Sequence, residues 1–170
     1  AGQLAGGGGA ALPLYQRVLA LQPNRTEALE GREDTLADLL AQARVSLQRG
    51  ELSEASSRIR RAQAADPGHV DLPDVLAQLT RVGELHRAKA DGELRRGRLS
   101  EALEAYLAAL SAMPDDAAAE RGLAQVATAY ALRSQKYAAD FRFDDAEAAL
   151  RDARAISLQA RGVAGAGPRP

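Results

Sequence analysis

The sequence predicts an all-α chain arranged as a solenoid of antiparallel helix pairs, and three observations predict it. First, 46% of the 170 residues are hydrophobic but only 4% are aromatic. Apolar content dominated by Ala and Leu suits close helix packing better than sheets of β-branched and aromatic residues. Second, the phrase GELSEA at Gly50–Ala55 returns as GRLSEA at Gly97–Ala102. Third, the register set by the closing Ala extends in both directions: Ala11, Ala55, Ala102 and Ala146 stand 44, 47 and 44 residues apart. A fixed period of this length marks a repeat architecture, in which each unit buries its apolar faces against its neighbours.

Each copy carries a short helix. Four residues after the anchoring Ala comes a large side chain, Tyr15, Ile59, Tyr106 or Leu150, and three further on a smaller one, Val18, Ala62, Ala109 or Ala153. That is one stripe of a helix. Pro23, Pro67 and Pro114 stand twelve residues after the anchor and end the helix, because proline lacks a donor and disfavours αR for its predecessor; Leu158 takes the fourth place. Gly50 and Gly97 mark turns before the stripe, with Ser53 and Ser100 expected as N-caps. Asp144 is the expected cap of the fourth copy, with Glu147 completing a capping box.

Between each Pro and the next turn lies a longer segment. Asn24 with Glu27, Asp71 before Pro73, and Asp115 with Asp116 are its start signals. Apolar residues then recur at helical spacing: Leu29, Leu36, Leu40, Ala43 and Leu47; Leu72, Val75, Leu79 and Val82; Leu123, Val126, Ala127 and Tyr130. The pattern predicts about 24 residues of mostly continuous helix. A bend at Gly31, Gly83 or Gly122, splitting each into a short and a normal helix, is the rival reading.

GELSEASSRIRRAQAADP and GRLSEALEAYLAALSAMP resemble the second-helix half of the tetratricopeptide repeat, and AALPLYQRVLALQP resembles a third. The likeness covers most of residues 10–158. The first helix diverges, with Leu39, His86 and Tyr130 where the family places Trp, and the period exceeds the usual length of about 34 residues. The resemblance implies a right-handed solenoid of elongated, divergent repeats. About three full repeats follow a partial first one, spanning roughly 10–23, 24–67, 68–114 and 115–160 within a repeat domain at 10–161. Residues 1–9 read as a flexible Gly-rich segment and 162–170 as a flexible tail, with Gly162 capping the last helix. The first copy has no helix of its own to cover Tyr15, Val18 and Leu19. Either the natural chain supplies one or another molecule does, a homodimer through this incomplete repeat being one such arrangement.

Several function classes lose support. The formal net charge is −1, from 22 basic and 23 acidic side chains, which gives no field to hold a nucleic acid. The Arg58, Arg60, Arg61 and Arg95, Arg96, Arg98 clusters fit a solvated helix face. Cysteine is absent, which excludes disulfides, thiolate metal sites and a Cys nucleophile, while cytoplasm and periplasm both suit the chain. No apolar run approaches the roughly 20 residues that span a bilayer, and the Ala-rich stripes are too weak for an interfacial helix. Gly6–Gly9 lacks the Lys and Ser/Thr of a phosphate loop. His69 and His86 lie too far apart to form a metal pair, Asp115/Asp116 and Asp144/Asp145 suit helix starts, and no Ser has a His and Asp set in reach. No enzyme chemistry, metal or cofactor is expected.

What remains is binding. The resemblance implies that the inner faces of the long helices line a concave groove. By register, its candidate partner-binding residues are Arg44, Gln48, Arg87, Asp91, Arg95 and Gln135. Arginine at three of the six points to a protein or peptide partner with acidic groups; solvated helix residues are the alternative. Two roles follow: a non-catalytic adaptor, or a structural spacer or assembly element. The Ala-, Arg- and Leu-rich composition and the absence of an initiator Met suit a segment of a larger bacterial protein.

Overall fold

The computed structural model describes residues 8–21 and 26–165, and side chains within 11–21 and 26–162. Seven helices and no strand occur among the described residues: α1 (Gly8–Leu21), α2 (Thr26–Gln48), α3 (Leu52–Ala65), α4 (Leu72–Arg95), α5 (Leu99–Ala112), α6 (Ala117–Ala139) and α7 (Phe143–Gly165). The fold is all-α. Two compact units divide within α4, Ala1–Leu79 and Thr80–Pro170.

Short and long helices alternate as the spacing predicts. α3 and α5 have 14 residues each, and α2, α4 and α6 have 23, 24 and 23. The long helices are unbroken at Gly31, Gly83 and Gly122, so the bent alternative does not hold. α3 and α5 stop at Asp66 and Met113, each the residue before a proline. Pro23 and Asn24 lie outside the described residues.

The turns between long and short helices share one geometry. Glu51 N–H donates to Ser46 O and Gly50 N–H to Leu47 O; Arg98 donates to Glu93 and Gly97 to Leu94; Arg142 donates to Tyr137 and Phe141 to Ala138. These are three Schellman closures, which need a left-handed residue at the middle position. Gly50 (φ 74°) and Gly97 (φ 73°) supply it without a Cβ clash, but the third turn uses Phe141 at φ 60°. A left-handed non-glycine residue costs roughly 1–2 kcal/mol. Phe141 is 81% exposed and packs only edge-on to Phe143 (6.2 Å). Phe141→Gly is therefore expected to raise the stability by about 1 kcal/mol, read as a higher midpoint in urea with an unchanged slope.

This geometry corrects the predicted caps. The closure delivers the chain two residues early, so Glu51 and Arg98 are the N-caps, neither makes a side-chain cap bond, and Ser53 and Ser100 fall inside the first turn. Burial of Leu52 and Leu99 fixes those starts instead. Likewise α7 begins at Phe143, Ala146 N–H bonds Arg142 O, and Asp144 sits in the first turn rather than at the cap. Asp116 does cap α6, accepting from Ala118 and Ala119 N–H. The fourth short helix differs most: with Leu158 where the others have Pro, α7 runs for 23 residues and passes through Gly162, which caps nothing. At the other end, Gly8 and Gly9 belong to α1 rather than to a linker.

In the Ala1–Leu79 unit, α2 packs against both α1 and α3. Its buried Leu36, Leu39, Leu40 and Ala43 meet a core that also contains Ala55, Ile59, Ala62 and Val75. Leu29, expected in this stripe, is exposed. His69 is buried in the turn before α4: Nδ1 accepts from Asp71 N–H at 3.1 Å, and Nε2 lies 3.0 Å from Glu33 Oε1 without hydrogen-bond geometry.

The Thr80–Pro170 unit buries Ala90, Leu99, Ala102, Ala105, Tyr106, Ala109, Leu110, Ala119, Leu123, Val126, Ala127 and Ile156 in one cluster. Tyr106 is the knob. A Cβ on Gly122 would lie 2.2 Å from Tyr106 Cζ, so the ring occupies space that only glycine leaves open. The same lock recurs in the first unit, where a Cβ on Gly31 would lie 2.3 Å from Tyr15 Cε1. Tyrosine and glycine are sixteen residues apart in both pairs. At that spacing from Ile59 stands Val75, and both are fully buried. Ala102 has no exposed surface, so Ala102→Leu is expected to cost about 2 kcal/mol by overpacking, read as a lower thermal midpoint.

Candidate functional site

Arg87, Asp91 and Arg95 recur every four residues along α4 and so form one stripe. Arg87 Nη1 donates to Asp116 Oδ2 at 2.7 Å, joining α4 to the cap of α6. Asp91 accepts the Tyr106 hydroxyl. Burial pushes that phenol well above its ordinary range; the hydrogen bond to Asp91 and the Asp91 charge push the same way, against a smaller opposing pull from Arg95. Two of the stripe's three charges thus hold the hairpin and its successor helix together. Arg95 stands exposed in the last turn of α4.

The remaining candidates are dispersed. Arg44 on α2 reaches Asp74 at 3.5 Å, an exposed pair of small energetic weight. Gln48 lies exposed at the end of α2, and Gln135 exposed on α6. Of the six, Arg87, Asp91 and Arg95 share one row on α4, and Arg44 and Gln48, four residues apart, share another on α2; Gln48, Arg95 and Gln135 keep exposed polar groups.

Two concavities lie elsewhere. One, between α2 and α3, encloses about 510 Å³ and is mainly polar, with Asp38, Gln42, Ser46, Arg49, Glu51 and Arg58 on its walls. The other, along α6 and α7, encloses about 700 Å³ and is mainly apolar: Ala124, Ala127, Thr128 and Ala131 from α6, and Leu150, Ala153, Arg154, Ser157, Leu158 and Arg161 from α7. None of the six predicted residues lines either hollow. The signal for the second was present in the sequence, since Leu150 holds the position that Tyr106 and Ile59 occupy in earlier copies. Those are buried to 1% and 0% exposure, whereas Leu150 is 37% exposed.

The arginine clusters are partly engaged. Arg96 and Arg98 flank the buried Glu93 at 3.0 and 3.5 Å, and Arg58 pairs with Glu54 at 3.2 Å. Among the described residues, no group of three or more His, Asp or Glu side chains could hold a metal ion, and no helix is long and apolar enough to cross a membrane. Compared with known proteins, the chain matches no family profile, no curated protein sequence and no solved structure.

Proposed function

We propose that this chain is a non-catalytic interaction module: a tetratricopeptide-like, right-handed α-solenoid of about three full repeats and a partial first one, which docks a peptide or protein on its concave face. One observation carries the stacking. Tyr15 on Gly31 and Tyr106 on Gly122 repeat the same knob and notch at the same sixteen-residue spacing in both units. A short helix thus presents its large side chain to the next long helix, which is how a hairpin repeat buries a face it cannot cover alone.

For the docked partner, the exposed members of the predicted set carry the reading. Arg95 offers a guanidinium fork, Gln48 and Gln135 offer amides, and Arg44 is held only by its loose pair with Asp74. Carboxylates in the partner match the forks. The test is capture from a lysate of the source cells by the wild-type chain and by Arg44→Glu/Arg95→Glu. Arg87 is left intact because its bond to Asp116 is structural. A partner retained by the wild type and lost by the folded variant supports the adaptor role, and equal capture by both removes it.

The spacer or assembly reading has its own support. Leu14, Val18 and Leu21 form an exposed apolar row on α1, a surface that suits contact with another molecule. Concentration-dependent mass in sedimentation, abolished by Leu14→Glu/Leu21→Glu, is the expected result for that reading.

A further inference from the structure

We propose that the α6–α7 groove is a second docking site that receives an acidic amphipathic helix supplied by a partner chain, seated there as α6 is seated on α4 and α5. The proposal rests on the stacking of repeats argued above, and it is independent of the α4 stripe.

The chain contains its own template for the occupied state. Shifting the groove by the 44-residue period turns Leu150 into Tyr106, Ala153 into Ala109, Arg154 into Leu110 and Ala127 into Gly83. In that earlier pair the equivalent surface is covered: Tyr106 fits the Gly122 notch of α6, and Ala109 and Leu110 are buried in the shared core. In the α6–α7 pair Leu150 is 37% and Leu158 67% exposed, above a floor that includes the buried Ala127 and Ala153. An apolar hollow bordered by exposed leucines is the unfilled half of a helix-packing interface.

The identity of the occupant follows from two further observations. After α5 the chain breaks at Met113 and Pro114 and folds back as α6. After the corresponding point α7 continues as helix through Leu158 to Gly165, carrying the chain past the groove instead of back into it. α7 therefore leaves the groove open to a helix from a separate chain. Its charge is set by the groove walls, where Arg154 and Arg161 are the charged groups and no carboxylate is present. A helix with acids in its first turns complements them, and it gains from its own dipole as well. Opposite Leu150 it needs a small or β-branched residue, as Gly122 serves Tyr106 and Val75 follows Ile59.

The probe is a labelled synthetic peptide of residues 114–131, which carries Asp115, Asp116 and Glu120, with Gly122→Val to suit Leu150. Titrated into the full chain and followed by fluorescence anisotropy, it is expected to bind saturably. Leu150→Glu and, separately, Arg154→Glu/Arg161→Glu should each weaken it at least tenfold. A peptide with Arg at positions 115, 116 and 120 should regain affinity for the Arg154→Glu/Arg161→Glu chain. No binding by the wild type, or binding indifferent to both variants, overturns the proposal. So does a self-association of the wild type that Leu158→Glu abolishes, since a second copy then fills the groove. If the peptide fails while Tyr106 and Gly122 still show energetic coupling, the docking site falls and the stacking reading stands; if both fail, both fall.

Discussion

Gly122→Ala is expected to lower stability by about 3 kcal/mol, at the upper end of core overpacking, and to reduce the thermal midpoint by roughly 6–12 °C for a chain of this size. The new methyl would meet Tyr106 at 2.2 Å from Cζ and 2.3 Å from Cε1, inside any contact that real atoms tolerate. The ring cannot swing away cheaply. It is buried, its hydroxyl is bonded to Asp91, and Leu123 and Val126 of the same cluster are buried with it. The diagnostic measurement is a double-mutant cycle in urea with Tyr106→Leu, which removes the ring the methyl would strike. The double variant is expected to be more stable than the sum of the single effects by about 1 kcal/mol or more. Strict additivity would mean that the lock between α5 and α6 does not form. An intrinsic helix preference predicts the opposite sign for the single change, because alanine is favoured over glycine in a helix interior by about 1 kcal/mol.

That contrast shows what could be read in the sequence and what could not. The alternation of short and long helices was legible because Pro67 and Pro114 stop helices by local chemistry alone, and Gly50 and Gly97 close them by local conformation. The stripe positions Ala55, Ile59, Ala62, Ala102, Tyr106 and Ala109 were legible because the 3.6-residue period identifies a buried face directly. Gly122 and Gly31 suggested a bend only as the rival to a continuous helix, and the helices run through them unbroken. Glycine in a helix weakens it locally, and only the tertiary approach of a tyrosine sixteen residues earlier explains why it is there. The caps failed for a related reason: a hydroxyl three residues past a glycine satisfies the local rule, yet the Schellman closure advances the N-cap by two residues. The end of α7 was missed because the repeat register was extended past Leu158, where the proline that enforces the stop is absent.

The candidate stripe was legible as a row but not as a set of bonds. Register placed Arg87, Asp91 and Arg95 on one line of α4, and four-residue spacing guarantees that. What register cannot supply is the partner of each charge. Asp116 was read as a cap, and it is one, but the same carboxylate also takes Arg87. Asp91, expected on the groove face, receives a phenol from α5. Such bonds join residues 15 to 29 apart in sequence and depend on how separate helices pack together.

Tyr106 carries the second large effect. Tyr106→Ala is expected to cost about 4 kcal/mol, the usual range for emptying a buried aromatic site, whereas Tyr106→Phe keeps the ring in the Gly122 notch and is expected to cost about 1.5 kcal/mol for the lost bond to a carboxylate. The two variants separate packing from hydrogen bonding, and pH separates them again. The folded state raises the phenol's proton affinity above the ordinary value of 10.0, first by burial and then through Asp91. A group whose folded value is raised contributes stability in full below its unfolded value and loses that share as pH climbs beyond it. Wild-type stability is therefore expected to hold level in this respect up to about pH 10 and to fall above it. Tyr106→Phe should flatten that alkaline limb. A residual slope should remain from Tyr130, whose phenol is also raised, chiefly by burial. Urea titrations from pH 8 to 11 decide the matter: equal slopes for wild type and Tyr106→Phe would show that the phenol is not held by Asp91. A steeper wild-type slope would place the proton in the seam where α4, α5 and α6 meet.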